Sequence, residues 1–117
     1  MLINLSNHPL KHWSLKQIAA AKAQFGEVAD LPFPDVNPEG DEQYIMTIVT
    51  DYLEKLLTFP KFAAVHIMGE MNFTYAMVNA LKRRGINCVA STTERVATEN
   101  KGVKTSEFRF VRFRQYS

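Results

Sequence analysis

Five consecutive side chains, Ser91-Thr92-Thr93-Glu94-Arg95, put hydroxyl, carboxylate and guanidinium groups in one unbroken row. Hydroxyls beside an arginine suit a phosphate or a ribose, because the guanidinium fork pairs with phosphate oxygens while hydroxyls both donate and accept. The run follows an apolar stretch, and no glycine or proline turns it into a simple loop. The competing reading is structural: Thr92 and Thr93 continue the strand, and Glu94 and Arg95 are solvated or paired at the surface. A second group, Gly69-Glu70-Met71-Asn72-Phe73-Thr74, opens a helix, where glycine allows close approach of a ligand and free amides can hold an anion. Here too a bland account competes, since Asn72 is a good helix cap and Glu70 suits the positive end of the helix dipole. Neither the Walker nor the dinucleotide glycine spacing is present.

Histidines supply the remaining chemistry. Asn7 and His8 follow the first strand, and His8 is placed to act as a general base near neutral pH. His8 and His12 lie four apart, but Pro9 breaks the helix that a zinc pair at that spacing needs, so no metal site is expected there. His66 and Cys88 fall mid-strand and read as a buried core pair rather than a catalytic dyad. Near the end of the chain, Phe108-Arg109-Phe110-Val111-Arg112-Phe113-Arg114 interleaves aromatics with arginines. The glycines of the RNA-recognition motif are missing, which leaves an edge strand guarded by charge or buried in a dimer.

Elements that could position these groups alternate along the chain. Leu2 to Ser6 and Val28 to Leu31 read as strands, and Phe62 to Met68 as a central strand between Pro60 and Gly69. Ile86 to Ala90 reads as a fourth strand. Ser14 with Gln17 forms a capping box for a helix whose apolar face is Leu15, Ile18, Ala19 and Phe25, interrupted by Lys22 and stopped at Gly26. From Asp41, the spacing of Ile45, Ile48, Val49, Tyr52 and Leu56 predicts a second helix. Phe73, Ala76, Met77, Ala80 and Leu81 predict a third, with Arg83, Arg84 and Gly85 at its end. Arg95 to Thr98 and Thr105 to Phe113 read as a hairpin. The pattern predicts an α/β fold: a Rossmann-like, mostly parallel sheet flanked by helices, with a C-terminal antiparallel hairpin. Ligands of such sheets bind beyond the carboxyl ends of the strands.

With 117 residues, 46% apolar and 22% charged, the chain is expected to form one domain, residues 1–117. Fourteen basic side chains against 12 acidic ones give a net charge of +2, too little for a broad field that would hold duplex nucleic acid. One cysteine excludes an intrachain disulfide, and the amino terminus has neither a signal-peptide pattern nor a membrane span. The cytoplasm is the expected compartment.

The opening Leu-Ile-Asn-Leu-Ser-Asn-His-Pro, the Met-Gly-Glu before the third helix and the Ser-Thr-Thr-Glu-Arg after the fourth strand resemble a known group. It is the small, single-domain, ring-nuclease-like CRISPR-associated proteins related to the CARF domain, and the likeness spans nearly the whole chain. The resemblance implies a homodimer that binds a cyclic oligoadenylate, first of all the tetramer, in a pocket shared across a two-fold axis. It also implies cleavage without metal or other cofactor, the ribose 2′-hydroxyl attacking the adjacent phosphate. Carried onto this chain, Arg95 and the amides near Gly69 hold phosphate, Ser91, Thr92 and Asn7 bind ribose or base, and His8 is the base. Glu70, Asn72, Thr74, Thr93 and Glu94 complete the expected half-site. A non-catalytic sponge or sensor, and an interaction subunit that oligomerises through its C-terminal strand, are the alternatives.

Overall fold

A computed structural model describes residues 1–117. Five strands and three helices follow one another as β1 (Leu2–Ser6), α1 (Leu15–Phe25), β2 (Val28–Asp30), α2 (Glu42–Leu57), β3 (Ala64–Met68), α3 (Met71–Arg83), β4 (Cys88–Asn100) and β5 (Val103–Gln115). The sheet order is β2-β1-β3-β4-β5; the first four strands run parallel and β5 returns antiparallel to β4. The expected α/β class and C-terminal hairpin are both present.

Strand alternation sorts the side chains onto two faces. On one, Ile3, Leu5, Val65, Ile67 and Cys88 pack with Val49, Tyr52 and Leu56 of α2 and with Phe73, Met77 and Leu81 of α3. On the other, Leu2, Ala64 and Val89 meet Trp13, Ala21 of α1, and Phe110 and Phe113 of β5. Asn4, Ser6 and His66 are buried on this second face too.

Each helix begins on a side-chain cap. Ser14 Oγ accepts from the Gln17 amide at 3.1 Å, Asp41 from Tyr44 at 3.0 Å, and Glu70 Oε1 from Phe73 at 2.7 Å. The expected face of α1 is rotated: Leu15 and Ala19 are exposed, whereas Gln17 and Ala21 are buried. The cause lies in Gln17, whose amide turns inward to the sheet instead of back to Ser14 as a capping box requires.

The fourth strand does not stop at Ala90. Thr92, Thr93, Val96 and Thr98 are good strand formers with no breaker among them, so β4 runs on to Asn100, paired with β5 out to Asn100↔Val103. Lys101 (φ 53°) and Gly102 (φ 80°) make the two-residue turn, whose positive φ values match the twist of a hairpin. Beyond Thr93 and Phe110 almost every residue is exposed, so the distal hairpin is an arm projecting from the domain. The molecule measures 51 × 38 × 26 Å as a result. At the root of the arm the register shifts between Thr92 and Thr93, which pair with Arg112 and Phe110. The extra residue, Val111, puts Phe110 and Phe113 on the same buried face.

Candidate functional site

The strand order reverses between β1 and β3, and open α/β sheets present their crevice at that point. A cleft of about 540 Å³ lies there, walled by the ends of β1 and β3, by the start of α1 and by the root of the arm. Ser6, Asn7 and His8 come from the first wall, Ser14, Lys16 and Gln17 from α1, and Ser91, Thr93, Phe108 and Arg109 from the arm, with His66 at the floor.

Under the cleft runs a chain of hydrogen bonds. Asn4 Nδ2 donates to Asp30 Oδ1 at 2.9 Å and to the His8 carbonyl at 3.0 Å. Both partners only accept, so Asn4 Oδ1 must face the other way, where Ser6 Oγ donates to it at 2.7 Å and His66 Nδ1 stands at 2.9 Å. His66 Nδ1 therefore carries the ring proton. Its other nitrogen, Nε2, is an acceptor 2.7 Å from Ser91 Oγ, which also accepts from Gln17 Nε2 at 3.0 Å. Edge-on contacts from Trp13 and Phe113 box in the imidazole. Burial lowers the His66 imidazole from its ordinary 6.5 to about 4, and repulsion from His8 acts in the same direction. At neutral pH the ring is uncharged.

This order of groups is that of a nucleophile or proton-relay hydroxyl, its base and the base's orienting amide. Asn4 and His66 are register partners, since β1 and β3 pair Asn4↔His66. Ser91 reaches them from the next strand, which pairs His66↔Val89 two residues earlier. Three neighbouring strands thus set the spacing.

The expected site residues separate into groups. Asn7, His8, Ser91 and Thr93 line the cleft. The His8 side chain is exposed beside His12, with ring centroids 6.2 Å apart, while its carbonyl collects the Asn4 and Trp13 donors. Gly69 and Thr74 line a different groove, of about 400 Å³, bounded by α3 and Tyr116. A Cβ at Gly69 would lie 2.3 Å from the Phe33 ring, so it is Phe33 and not a ligand that approaches this glycine. Glu70, rather than Asn72, caps α3, and Asn72 donates to its second oxygen. Thr92 Oγ1 spans the ladder, donating to the Arg112 carbonyl and accepting from its amide. Glu94 and Arg95 lie on the arm, where Arg95 donates to Ser106 Oγ at 3.0 Å. Neither lines the cleft, so the single run divides between the cleft wall and the arm.

His66 and Cys88 are both buried but point to opposite faces. Burial pushes the Cys88 thiol up to about 11, which keeps it protonated and inert. The residues that sequence reading missed are Asn4, Gln17, His66, Lys16 and Arg109. A signal for two of them was present: Asn4 and His66, with Ser6 beside them, interrupt two apolar strands at alternate positions, so their polar groups share one face.

No group of three His, Cys, Asp or Glu side chains assembles anywhere in the chain. No helix is long and apolar enough to cross a membrane. Residues 1–114 match a family described as "Uncharacterized protein MJ1673 family". No curated protein and no solved structure matches the chain.

Proposed function

We propose that this chain, which belongs to the MJ1673 family, binds a cyclic oligoadenylate in the cleft between β1 and β3 and cleaves it without metal. The family description assigns no activity, so the reading stands on the motif resemblance and on the cleft. The observation that carries it is the composition of that cleft: Lys16, His8 and His12 for phosphate, Ser14 and Thr93 for ribose hydroxyls, and Phe108 for an adenine face. Phe108 is 68% exposed at the mouth. Cleavage joins the ribose 2′-oxygen to the neighbouring phosphorus and breaks its bond to the 5′-oxygen, leaving a cyclic phosphate and a free 5′-hydroxyl. Positioning the attacking oxygen in line supplies much of the rate.

A cleft of this size suits a drug-sized ligand, on the order of 300–1,000 Å³, and a ring of four nucleotides is larger. A second copy therefore completes the site, and the arm is its proposed contact. An isolated two-stranded ribbon is marginally stable in water, yet Val103 and Phe108 on this one are more than three-fifths exposed. The free edge of β5 reads Glu107-Phe108-Arg109, with Glu107 and Arg109 paired at 3.3 Å within the chain, and antiparallel pairing about Phe108 sets each of these opposite charges against the other across the two copies. The cytoplasm is the proposed compartment.

Purified protein incubated with cyclic tri-, tetra- and hexa-adenylate, with products resolved by chromatography, tests the function. Ring opening is the expected result, and failure to bind any ring overturns the proposal. Release of intact ligand from a tight complex selects the sponge instead. If the arm alone is functional, as an interaction module, Phe108→Glu changes the mass in solution and no ring binds.

A further inference from the structure

The expected base, His8, has its ring in solvent, whereas a second histidine stands behind a cleft hydroxyl with every other partner fixed. Ser91 Oγ has one proton and two lone pairs. Its proton points to His66 Nε2 at 2.7 Å and one lone pair takes the Gln17 amide at 3.0 Å. That leaves one lone pair without a partner on a residue that lines the cleft. His66 itself is 1% exposed and reaches the cleft through Ser91. Asn4 holds the ring in the tautomer that leaves Nε2 free, and Asp30 in turn holds Asn4. A buried histidine needs hydrogen bonds to be stable, but burial alone does not require a hydroxyl that faces the cleft.

We propose that Ser91 and His66 form the proton-accepting pair of the ring-opening reaction, with Asn4 and Gln17 as positioning residues. The inference rests on the function proposed above. The 2′-hydroxyl donates its proton to the open lone pair of Ser91 as Ser91 passes its own to His66 Nε2. The 2′-oxygen attacks phosphorus, the bond to the 5′-oxygen breaks, and that oxygen takes a proton from water. His66 returns its extra proton to water through Ser91, which restores the starting state.

The charge around His66 gives this pair its own signature. His8 faces it from the end of β1 and Asp30 from β2 through Asn4, while α1 presents Gln17 and β5 presents Phe113, both neutral. A free imidazole lowered to about 4 is a weak base. A phosphodiester in the cleft places negative charge beside it and raises that value, so that ligand binding arms the base.

The test uses the full-length wild-type protein, Ser91→Ala and His66→Gln with cyclic tetra-adenylate. Ser91→Ala removes one half-buried hydroxyl from the cleft wall and keeps the core intact. Each variant is expected to bind the ring within about threefold of wild type and to open it on the order of 10²-fold more slowly. The double variant is expected to be no slower than either single one, because the pair acts as a unit. In wild type, the His66 ring resonances should titrate at higher pH when a ring of 2′-deoxyadenylate, which cannot be cleaved, is bound. That shift reports the charge placed beside His66, and the non-additivity is what a merely structural histidine does not give. Cleavage at the wild-type rate by Ser91→Ala overturns this inference alone. A wild-type protein that binds the ring and leaves it intact also overturns it and selects the sponge. No binding at all removes the proposed function and this pair with it.

Discussion

The two faces of the sheet are built from the same strands and differ in kind. Towards α2 and α3, every inward residue of β1 and β3 is apolar: Ile3, Leu5, Val65 and Ile67. Towards α1, the alternate positions Asn4, Ser6 and His66 are polar, buried and joined by hydrogen bonds to Ser91, Gln17 and Asp30. Burying such groups is costly unless each finds a partner, and a completed network fixes geometry in return. The first face holds the fold together. The second holds the Ser91 hydroxyl against the His66 ring beside the cleft. Mutations on the two faces should therefore separate stability from activity.

The largest effect belongs to the apolar face. Phe73 is fully buried against Phe33 and Tyr52, so Phe73→Ala should cost about 3–5 kcal/mol in chemical denaturation. A cost below about 1 kcal/mol would remove the distinction between the faces. Next is a pH dependence carried by the polar face. His66 takes its proton near 6.5 when unfolded and near 4 when folded. Its contribution is thus complete above about 6.5 and is lost as pH falls towards 4, because only the unfolded chain binds the proton in that window. The separation corresponds to about 3 kcal/mol, and His66→Gln should abolish that part of the acid dependence. An unchanged profile in that variant would place the titration elsewhere. Smaller still is Asn4→Ala, which strips the acceptor from Ser6 and His66. It should cost about 1–3 kcal/mol and should lower the ring-opening rate more than the affinity for the ring. On the arm, Phe108→Glu should leave stability within about 0.5 kcal/mol while shifting sedimentation towards monomer. Arg95→Ala, in solvent beside Ser106, should change neither stability nor ring binding measurably.

Periodicity made the apolar face legible in the sequence. The spacing of Ile45, Val49, Tyr52 and Leu56, the both-sided burial of β3 and the stop at Gly85 all follow from side-chain period and local turn chemistry, and each element appears where these place it. A cleft at the carboxyl edge of the sheet, lined by Asn7, His8, Ser91 and Thr93, was also legible. The polar face was not, because its contacts lie across strands: Asn4 and His66 are 62 residues apart, Gln17 and Ser91 are 74 apart. Only the strand register brings them together. Within the Ser91 to Arg95 run, the structural alternative is the one observed: Thr92 and Thr93 continue the strand, so the side chains alternate between faces instead of converging, and Glu94 and Arg95 lie beyond the bulge on the arm. Gly69 misled for a related reason, since an aromatic ring from a distant loop fills the space a ligand was expected to use.

The claim that the polar face is the working face is tested most directly by mapping amide chemical shifts while cyclic tetra-adenylate is added to the wild-type protein. The amides of Asn7, Lys16, Gln17, Ser91 and Thr93 should move, and those of Asn72 and Thr74 should stay. Shifts centred on Gly69, Thr74 and Tyr116, or no shifts at all, would contradict it.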